Sequence, residues 1–257
     1  MILKYLTVFR ASFCRTWIKT MRRPVALTFS LVQPLMWMLF FGFLFHRYSL
    51  NDLPSNLKYL DFLVPGVCAM TVLFGASQSG IELIRDIQSR FLGRVIATPA
   101  AKSMLLGGKI IADVSRLLIQ AFLVLALGLA LGAKLKFSMV SLTQMTASLA
   151  LFGIAFCSLS CWIALKARSQ ENMATFVHLV NMPMLFTSTA LVPNKQMPDW
   201  LANIARYNPL SLVVNNARTS LLFEQNVFSG HNLMLLSGLA GFLLILSVWT
   251  FRNFYLD

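Results

Sequence analysis

The sequence predicts an all-α membrane protein with six transmembrane helices, on the grounds of its composition and hydropathy pattern. Of its 257 residues, 57% are hydrophobic and only 12% are charged, and the mean hydropathy is +0.69. A soluble domain carries roughly 25% charged residues. Apolar runs of about 20 residues, the length that crosses a hydrocarbon core about 30 Å thick, recur along the chain. We therefore expect one transmembrane domain over residues 1–257, with little chain left for a soluble domain.

The six predicted spans follow these apolar runs in order. They lie at 24–45, at 61–82, at a third run that begins between 105 and 117 and ends near 132, at 137–165, at 172–192 and at 232–251. About two thirds of the 22 Lys and Arg residues fall in segments that are inside if the N-terminus is inside. This bias predicts both termini in the cytoplasm. It also accounts for the net charge of +13 without a nucleic-acid partner.

Residues 1–23 predict an amphipathic helix that lies in the headgroup plane. Apolar side chains share one narrow sector of the helical wheel: Ile2, Leu6, Phe9, Phe13 and Trp17. Basic side chains fall on the opposite face: Lys4, Arg15, Lys19 and Arg22. A signal peptide is not expected, because the apolar run that follows is too long and no small-x-small cleavage site is present. A plain membrane anchor and a role in transmitting motion are both compatible with this helix.

A basic segment at 84–109 interrupts the apolar runs and predicts contact with a cytoplasmic partner. It is too polar to cross a bilayer and too apolar for a plain solvated loop. Gly107-Gly108-Lys109 is the nearest approach to a phosphate-binding loop, but an earlier glycine is missing and Ile110 follows where a hydroxyl residue is required. We expect no catalytic residue in this chain. If energy drives the protein, an ion gradient or a separate ATPase supplies it.

Ionisable residues near the predicted spans favour the separate ATPase. Glu82, Arg85 and Asp86 end the second span, and Asp113 and Arg116, which can pair on one helical face, begin the third. These charges cluster at the cytoplasmic edge and form no relay across the membrane, which disfavours proton coupling. The three histidines lie in different segments, so no metal site is expected.

The segment 193–231 predicts two short helices that dip into the outer leaflet and return. Asn208 is a favourable N-cap and Pro209 a favourable first helical residue. Pro193 begins a reversal of the chain, and Trp200 suits the membrane–water interface. An ordinary external loop of about 40 residues is the alternative, which the apolar content of the segment disfavours.

Several short motifs occur in a distinctive order: Ile96-Ala97-Thr98-Pro99, Gly108-Lys109, Pro183 to Ser188, Met197 to Leu201, Arg206 to Leu210, and Arg218. This order resembles the membrane subunit of ABC-2 type exporters, in the daunorubicin-resistance and nodulation-factor group. The likeness covers nearly the whole chain. The acidic residue and the glycine typical of the family's cytoplasmic motif are replaced between Gln88 and Phe91. The resemblance implies the ABC-2 (type V) exporter fold: an interfacial helix, six spans, a cytoplasmic coupling helix and an extracellular re-entrant helical pair.

The resemblance also implies partners. Two copies of the chain, or this chain with a similar permease, would form the pore as a homodimer or heterodimer. Two ABC ATPase subunits would bind beneath it and hold ATP and Mg, so this chain itself needs no cofactor. Within 84–104, a short coupling helix would place apolar side chains in a groove of the ATPase and pair its arginines with acidic residues: Arg90, Phe91, Leu92, Gly93, Arg94, Val95, Ile96 and Pro99.

Two further groups of residues follow from the resemblance. The pathway would run along spans one, two and five, with polar candidates that helix packing explains equally well: Gln33, Gln78, Asn181, Thr187, Ser188 and Thr189. An extracellular gate would be formed by Pro193, Trp200, Asn208, Pro209 and Arg218. Arg218 is expected to anchor the far end of its helix at the outer headgroups.

The function predicted from these features is export of an amphipathic small molecule or a lipid-linked substrate from the cytoplasm or the inner leaflet. A glycolipid or polysaccharide exporter of the same architecture is the first alternative. A carrier that is not coupled to ATP, or a membrane scaffold, is the alternative from another class.

Overall fold

The computed structural model describes residues 2–22, 24–45, 58–89, 102–167, 169–222 and 230–253, with the side chains of 2–4, 24–27, 29 and 102 excepted. These residues form nine α-helices and a short 3₁₀ helix at Asn194–Gln196, with no strand among them. The α-helices are α1 Ile2–Met21, α2 Pro24–Leu44, α3 Tyr59–Gln88, α4 Lys102–Ala130, α5 Met139–Ala167, α6 Gln170–Phe186, α7 Asp199–Tyr207, α8 Pro209–Leu222 and α9 Gly230–Asn253.

Long apolar helices confirm the prediction of an all-α membrane protein. Within the described ranges, four helices are long and apolar enough to cross a membrane: α3, α4, α5 and α9. They correspond to the second, third, fourth and sixth predicted spans. Helix α2 has 21 residues and α6 has 17. The assignment of α2 and α6 as the first and fifth spans stays a prediction.

Helix α6 ends earlier than the predicted fifth span, at Phe186 instead of Val192. The hydroxyl of Thr187 donates to the Pro183 carbonyl at 2.8 Å, and that of Ser188 donates to the Leu185 carbonyl at 2.7 Å. Such local side-chain bonds satisfy the last carbonyls of a helix and compete with its continuation. The chain therefore turns away after α6.

The centre of the bundle is formed by α3 and α5, which approach closely at small residues. The Gly80 amide donates to the Ser160 hydroxyl oxygen at 3.0 Å, and the Ser160 hydroxyl donates to the Ser77 carbonyl at 2.8 Å. Small side chains let helix backbones approach this closely in membranes. By contrast, much of α9 lies at the periphery of the bundle, since only 22% of the residues in its most apolar stretch are buried.

Helix α1 packs along the first half of α4 on a face that differs from the predicted apolar sector. Its buried side chains are small and hydroxylic: Ser12, Thr16 and Thr20. The Ser12 hydroxyl donates to the Leu105 carbonyl at 2.7 Å, whereas Leu6 is 60% exposed. The predicted helix is confirmed. Hydroxyl side chains form its contact with α4, and the orientation of its apolar sector towards the membrane stays a prediction.

Local signals set several helix boundaries. At the start of α6, the Ser169 hydroxyl accepts from the Asn172 amide at 3.1 Å. After α4, Gly132 takes a φ of +94°, the left-handed conformation that commonly ends helices at glycine. The bundle has two ends. We call the end where α1 meets α3 and α4 the basic end, and the end that holds α7 and α8 the opposite end.

Candidate functional site

A cavity of about 380 Å³ lies between α1, α2, α3 and α4. On α3 its wall comes from a single helical face, since the lining positions from Val67 to Arg85 recur at spacings of mostly three and four residues. Val67 and Arg85 are 18 residues apart, which corresponds to about 27 Å along the helix axis. The cavity therefore runs from the middle of the bundle to the basic end.

The character of the wall changes along this length. The deeper part carries the apolar side chains Pro34, Trp37, Val67, Met70 and Phe74, and the basic end carries Lys19, Glu82 and Arg85. Polar side chains lie between and around them: Thr20, Ser30, Gln33, Thr71, Gln78 and Gln120. A cavity with an apolar section and a charged mouth suits a ligand that has both characters.

Two of the predicted pathway residues, Gln33 and Gln78, meet in this cavity. Trp37 lines it too, while Phe40 and Phe43 of the same aromatic run point outward, at 61% and 73% exposure. Part of the run therefore faces the surroundings of the bundle, and Trp37 faces the cavity.

The predicted pairing of Asp113 with Arg116 is wrong. Asp113 instead accepts from Lys109, one turn earlier on α4, at 2.6 Å, and from the Ser79 hydroxyl at 2.5 Å. Lys109 is only 6% exposed and Asp113 fully buried, so the pair neutralises itself inside the bundle. Arg116 lines the cavity, and its Nε and Nη2 atoms are buried and have no hydrogen-bond partner within the part of the chain that the structure describes.

A second ionic cluster joins α1 to α3 at the basic end. Nη1 and Nη2 of Arg15 donate to the two carboxylate oxygens of Asp86 at 3.0 and 3.1 Å, and Lys19 donates to Asp86 at 2.9 Å. The sequence offered no local signal for this cluster, because its members are about 70 residues apart. Asp86 is four residues before Arg90, where the predicted coupling residues begin.

The predicted ATPase-coupling residues lie outside the described residues, which stop at Ser89 and resume at Lys102. The structure does describe Gly108 and Lys109, which belong to the run that was compared with a phosphate-binding loop, and it shows what each residue contacts. Gly108 is covered by α1, since a methyl group there would lie 2.6 Å from the Phe9 carbonyl oxygen. Lys109 holds Asp113. Both have structural roles in this protein.

Other pathway candidates lie in helix contacts and not in the cavity. Asn181 is 2% exposed and donates to the Ser77 hydroxyl at 2.9 Å. Ser188 and Thr189 are buried as well, and the Thr189 amide donates to the Ser211 hydroxyl at 3.0 Å. These three residues take part in contacts between helices, and their place in a transport pathway stays a prediction.

At the opposite end, 193–222 contains the two predicted short helices, α7 and α8, which argues against an ordinary loop. Oδ1 of Asn208 accepts from the Leu210 amide at 2.9 Å, the bond of an N-cap, as predicted. Its Nδ2 atom donates to the Met184 carbonyl at 2.8 Å and to Thr187 Oγ1 at 2.9 Å. Asn208 therefore starts α8 and holds it against the end of α6.

The remaining gate candidates differ in burial. Trp200 is 65% exposed on α7, Pro193 directly precedes the 3₁₀ helix, and Pro209 is the first residue of α8. Arg218 is only 6% exposed, so its predicted contact with outer headgroups is wrong. Its guanidinium is held inside the protein by backbone carbonyls.

A bundle of long apolar helices around a cavity of mixed polarity is the architecture of a helical membrane transport protein. Within that class, the chain belongs to the ABC-2 type transporter family, whose family model matches residues 7–222. The resemblance read from the motifs is thereby confirmed.

Several proteins are similar to the chain over most of its length. It is 32% identical over 250 residues to "Putative transport permease ycf38" of Cyanophora paradoxa, which covers 90% of this chain and 84% of the relative. It is 27% identical over 195 residues to the daunorubicin resistance ABC transporter permease protein DrrB1 of Streptomyces coeruleorubidus, covering 76% and 68%. A doxorubicin resistance permease of Mycobacterium tuberculosis, DrrC, is 25% identical over 172 residues, covering 64% and 62%.

Proposed function

We propose that this chain is the membrane-spanning permease subunit of an ABC exporter and moves an amphipathic small molecule or a lipid-linked substrate out of the cytoplasm or inner leaflet. The observation that supports this proposal is the cavity lined by α1, α2, α3 and α4. Its apolar section matches an apolar group and its charged mouth a polar one, so it complements an amphipathic molecule. Two relatives are named as permeases for resistance to daunorubicin or doxorubicin.

In this proposal the basic end faces the cytoplasm, in line with the distribution of Lys and Arg. Helices α2 and α6 complete six spans in a bacterial-type inner membrane, with both termini inside. Two copies of the chain, or this chain with a similar permease, form the pathway. Substrate then enters the cavity from the inner leaflet or the cytoplasm.

Two ABC ATPase subunits supply the energy and bind ATP and Mg, while this chain contributes no catalytic group. The segment 84–104 docks on them, with apolar residues from Phe91 to Ile96 in the contact. The bonds of Arg15 and Lys19 to Asp86 support this assignment, because they link α1 and α3 four residues before Arg90, the first of the predicted coupling residues. A push on that segment would move both helices that line the charged mouth of the cavity.

At the opposite end, α7 and α8 act as a re-entrant gate in the outer leaflet. Asn208 and Arg218 connect α8 to the end of α6 and the start of α3. Rearrangement of these contacts is the step that opens the outer side. Strong binding of α8 to both neighbours suits a gate that is closed at rest.

The test is co-purification of the permease with its ATPase, followed by ATP hydrolysis and transport in proteoliposomes. Doxorubicin and a fluorescent phosphatidylethanolamine serve as drug-like and lipid-like probes. Phe91→Asp places a charge in the expected apolar contact and should release the ATPase, whereas Phe137→Asp makes the same change at an exposed site between α4 and α5. A complex that survives Phe91→Asp with full coupling would remove the docking role. ATP-independent movement of either probe would instead point to a carrier.

A further inference from the structure

We propose that the cavity between α1 and α4 binds an anionic amphiphile whose carboxylate or phosphate headgroup is held by Arg116. The inference rests on the proposed function and names the substrate class of the same cavity. It starts from two atoms: Nε and Nη2 of Arg116 are buried and have no hydrogen-bond partner among the described residues. Leaving buried donors of a charged group unpaired is costly, so such groups are normally satisfied. Both atoms have almost no accessible surface, but the Arg116 side chain lines the cavity, so a rotation of its guanidinium would bring these donors to an acceptor placed there.

The described residues leave the guanidinium of Arg116 without an ionic partner. Asp113, three residues earlier, accepts from Lys109 and Ser79 through Oδ2 alone, and its Oδ1 atom is buried without a hydrogen bond to Arg116 or to any other described residue. None of the ion pairs among the described residues includes Arg116. Glu82 lines the same cavity nearer the mouth without forming such a pair. A ligand that carries its own negative charge is therefore the missing partner of this guanidinium.

Arg116 lies deep in the cavity. Its neighbours Leu117 and Gln120 lie against Gly75, in the middle of α3. Arg85, at the mouth, is ten residues further along α3, which corresponds to about 15 Å of helix. The mouth cations already have partners: Lys19 is bound to Asp86, and Nε of Arg85 donates to Gln170 at 3.1 Å. The unsatisfied positive charge thus lies inside the cavity and not at its entrance.

The surroundings of Arg116 select for a ligand with an apolar part as well. Trp37, Met70 and Phe74 supply an apolar wall, and Gln33 and Gln78 supply amide groups for ester or hydroxyl oxygens. The volume of about 380 Å³ lies in the range of small-molecule sites, about 300–1,000 Å³. A guanidinium offers parallel donors that fit the two oxygens of a carboxylate or phosphate, so this site should discriminate an anion from a cation of the same length.

Trp37 provides a reporter inside the cavity for a direct test. The purified permease, without any ATPase, is titrated in non-ionic detergent with ω-bromododecanoate, whose bromine quenches tryptophan fluorescence. The part of the quenching that disappears in Trp37→Phe measures binding of the probe in the cavity. The part that remains comes from probe dissolved in the detergent around the protein. ω-Bromododecyltrimethylammonium is the matched cation, and acetate is the headgroup without its chain. Arg116→Gln removes the charge, Arg116→Lys keeps it, and Arg206→Gln removes an exposed arginine at the opposite end as a control.

We expect saturable quenching of Trp37 by the anion, with an apparent Kd that Arg116→Gln raises about ten-fold or more. Arg116→Lys should retain part of the affinity, Arg206→Gln all of it, and the cation should bind the wild type no better than the variants. Equal binding of anion and cation, or no effect of Arg116→Gln in protein that elutes as wild type, would overturn the proposal. If acetate competed at the same concentration as bromododecanoate, the site would bind free anions, and the proposal of an amphiphilic ligand would be overturned.

The assay separates this inference from the proposed function, because it contains no ATPase and measures no transport. If the complex transports but Arg116 binds no anion, only the inference about the substrate class fails. If the anion binds but no ATPase associates with the chain, the exporter assignment fails while the site remains.

Discussion

The guanidinium carbon of Arg218 lies 3.4 Å from the centre of the Phe62 ring, and Nε of the same side chain donates to the Phe62 carbonyl oxygen at 3.0 Å. Its terminal nitrogens donate to the carbonyl oxygens of Thr189 and Ala190 at 2.7 and 2.8 Å. One buried cation therefore connects the start of α3, the turn after α6, and α8. Its charge is met by carbonyl dipoles and by the face of an aromatic ring.

Replacing Arg218 should loosen the opposite end of the bundle. Arg218→Met keeps much of the side-chain volume but leaves three buried carbonyls without their donors, each worth about 1–3 kcal/mol. We expect a clear fall in the midpoint of thermal unfolding of the purified permease in detergent. Arg206→Met, on the exposed face of α7, is the matched control and should unfold as the wild type does.

The salt dependence of the Arg218→Met defect distinguishes burial from contact with headgroups. An interaction shielded from solvent is screened little by ions, whereas an exposed one weakens as the Debye length falls from about 10 Å at 0.1 M to about 3 Å at 1 M salt. The difference between variant and wild type should therefore stay constant over this range. A difference that disappears at high salt would contradict the buried arrangement.

Asn208 combines a helix cap with a link between helices, and its variants should separate the two. Asn208→Asp retains an oxygen for the Leu210 amide but loses the donor to the Met184 carbonyl, whereas Asn208→Ala loses both. The lost cap costs about 1 kcal/mol, too little to unfold the protein. We expect faster hydrogen exchange in the first turn of α8 for Asn208→Ala, with Asn208→Asp nearer the wild type there. Equal protection in all three proteins would show that the cap does not stabilise α8.

Asp86 should control how firmly α1 is held. Its side chain is 10% exposed, while Arg15 and Lys19 are 35% and 24% exposed, so solvent screening limits the gain to about 1 kcal/mol. Asp86→Asn should therefore increase hydrogen exchange in α1 by a few-fold without unfolding the bundle. In the proposed complex with an ATPase, Asp86→Asn should lower the amount transported per ATP. Asp199→Asn, at an exposed position in the first turn of α7, should change neither quantity.

Local chemistry explains which parts of this structure could be predicted from the sequence. The apolar runs gave the long helices, and the Asn208-Pro209 pair gave the start of α8, because both depend on neighbouring residues only. The cluster of Arg15 and Lys19 on Asp86 depends on how α1 packs, and no local pattern contains that information.

Asp113 illustrates a choice that spacing alone leaves open. Lys109 and Arg116, four and three residues away, both share a helical face with it. Ser79 on α3 lies between Lys109 and Asp113 and bonds to both, which favours that pair. Arg116 is left facing the cavity for the same reason. The candidate site thus depends on a contact between α3 and α4 that appears only in the folded chain.

The adjacent glycines Gly107 and Gly108 provide a matched test of how α1 packs on α4. A methyl group at Gly108 would lie 2.6 Å from the Phe9 carbonyl oxygen and 3.0 Å from Ser12 Cβ. At Gly107 the nearest neighbouring atom, in the Phe9 ring, would be 4.0 Å away. Gly108→Ala should therefore displace α1 and cost about 1–3 kcal/mol. Gly107→Ala should be neutral or stabilising by up to about 1 kcal/mol, since alanine favours a helix.

Both glycine variants can be compared by thermal unfolding and by limited proteolysis of α1. We expect Gly108→Ala to unfold at lower temperature and to be cut within α1 sooner than the wild type, and Gly107→Ala to resist at least as well as the wild type. In combination with Asp86→Asn, Gly108→Ala should add little further release of α1, because both changes free the same helix and neighbouring effects are not additive. Equal behaviour of the two single variants would show that α1 does not rest on Gly108.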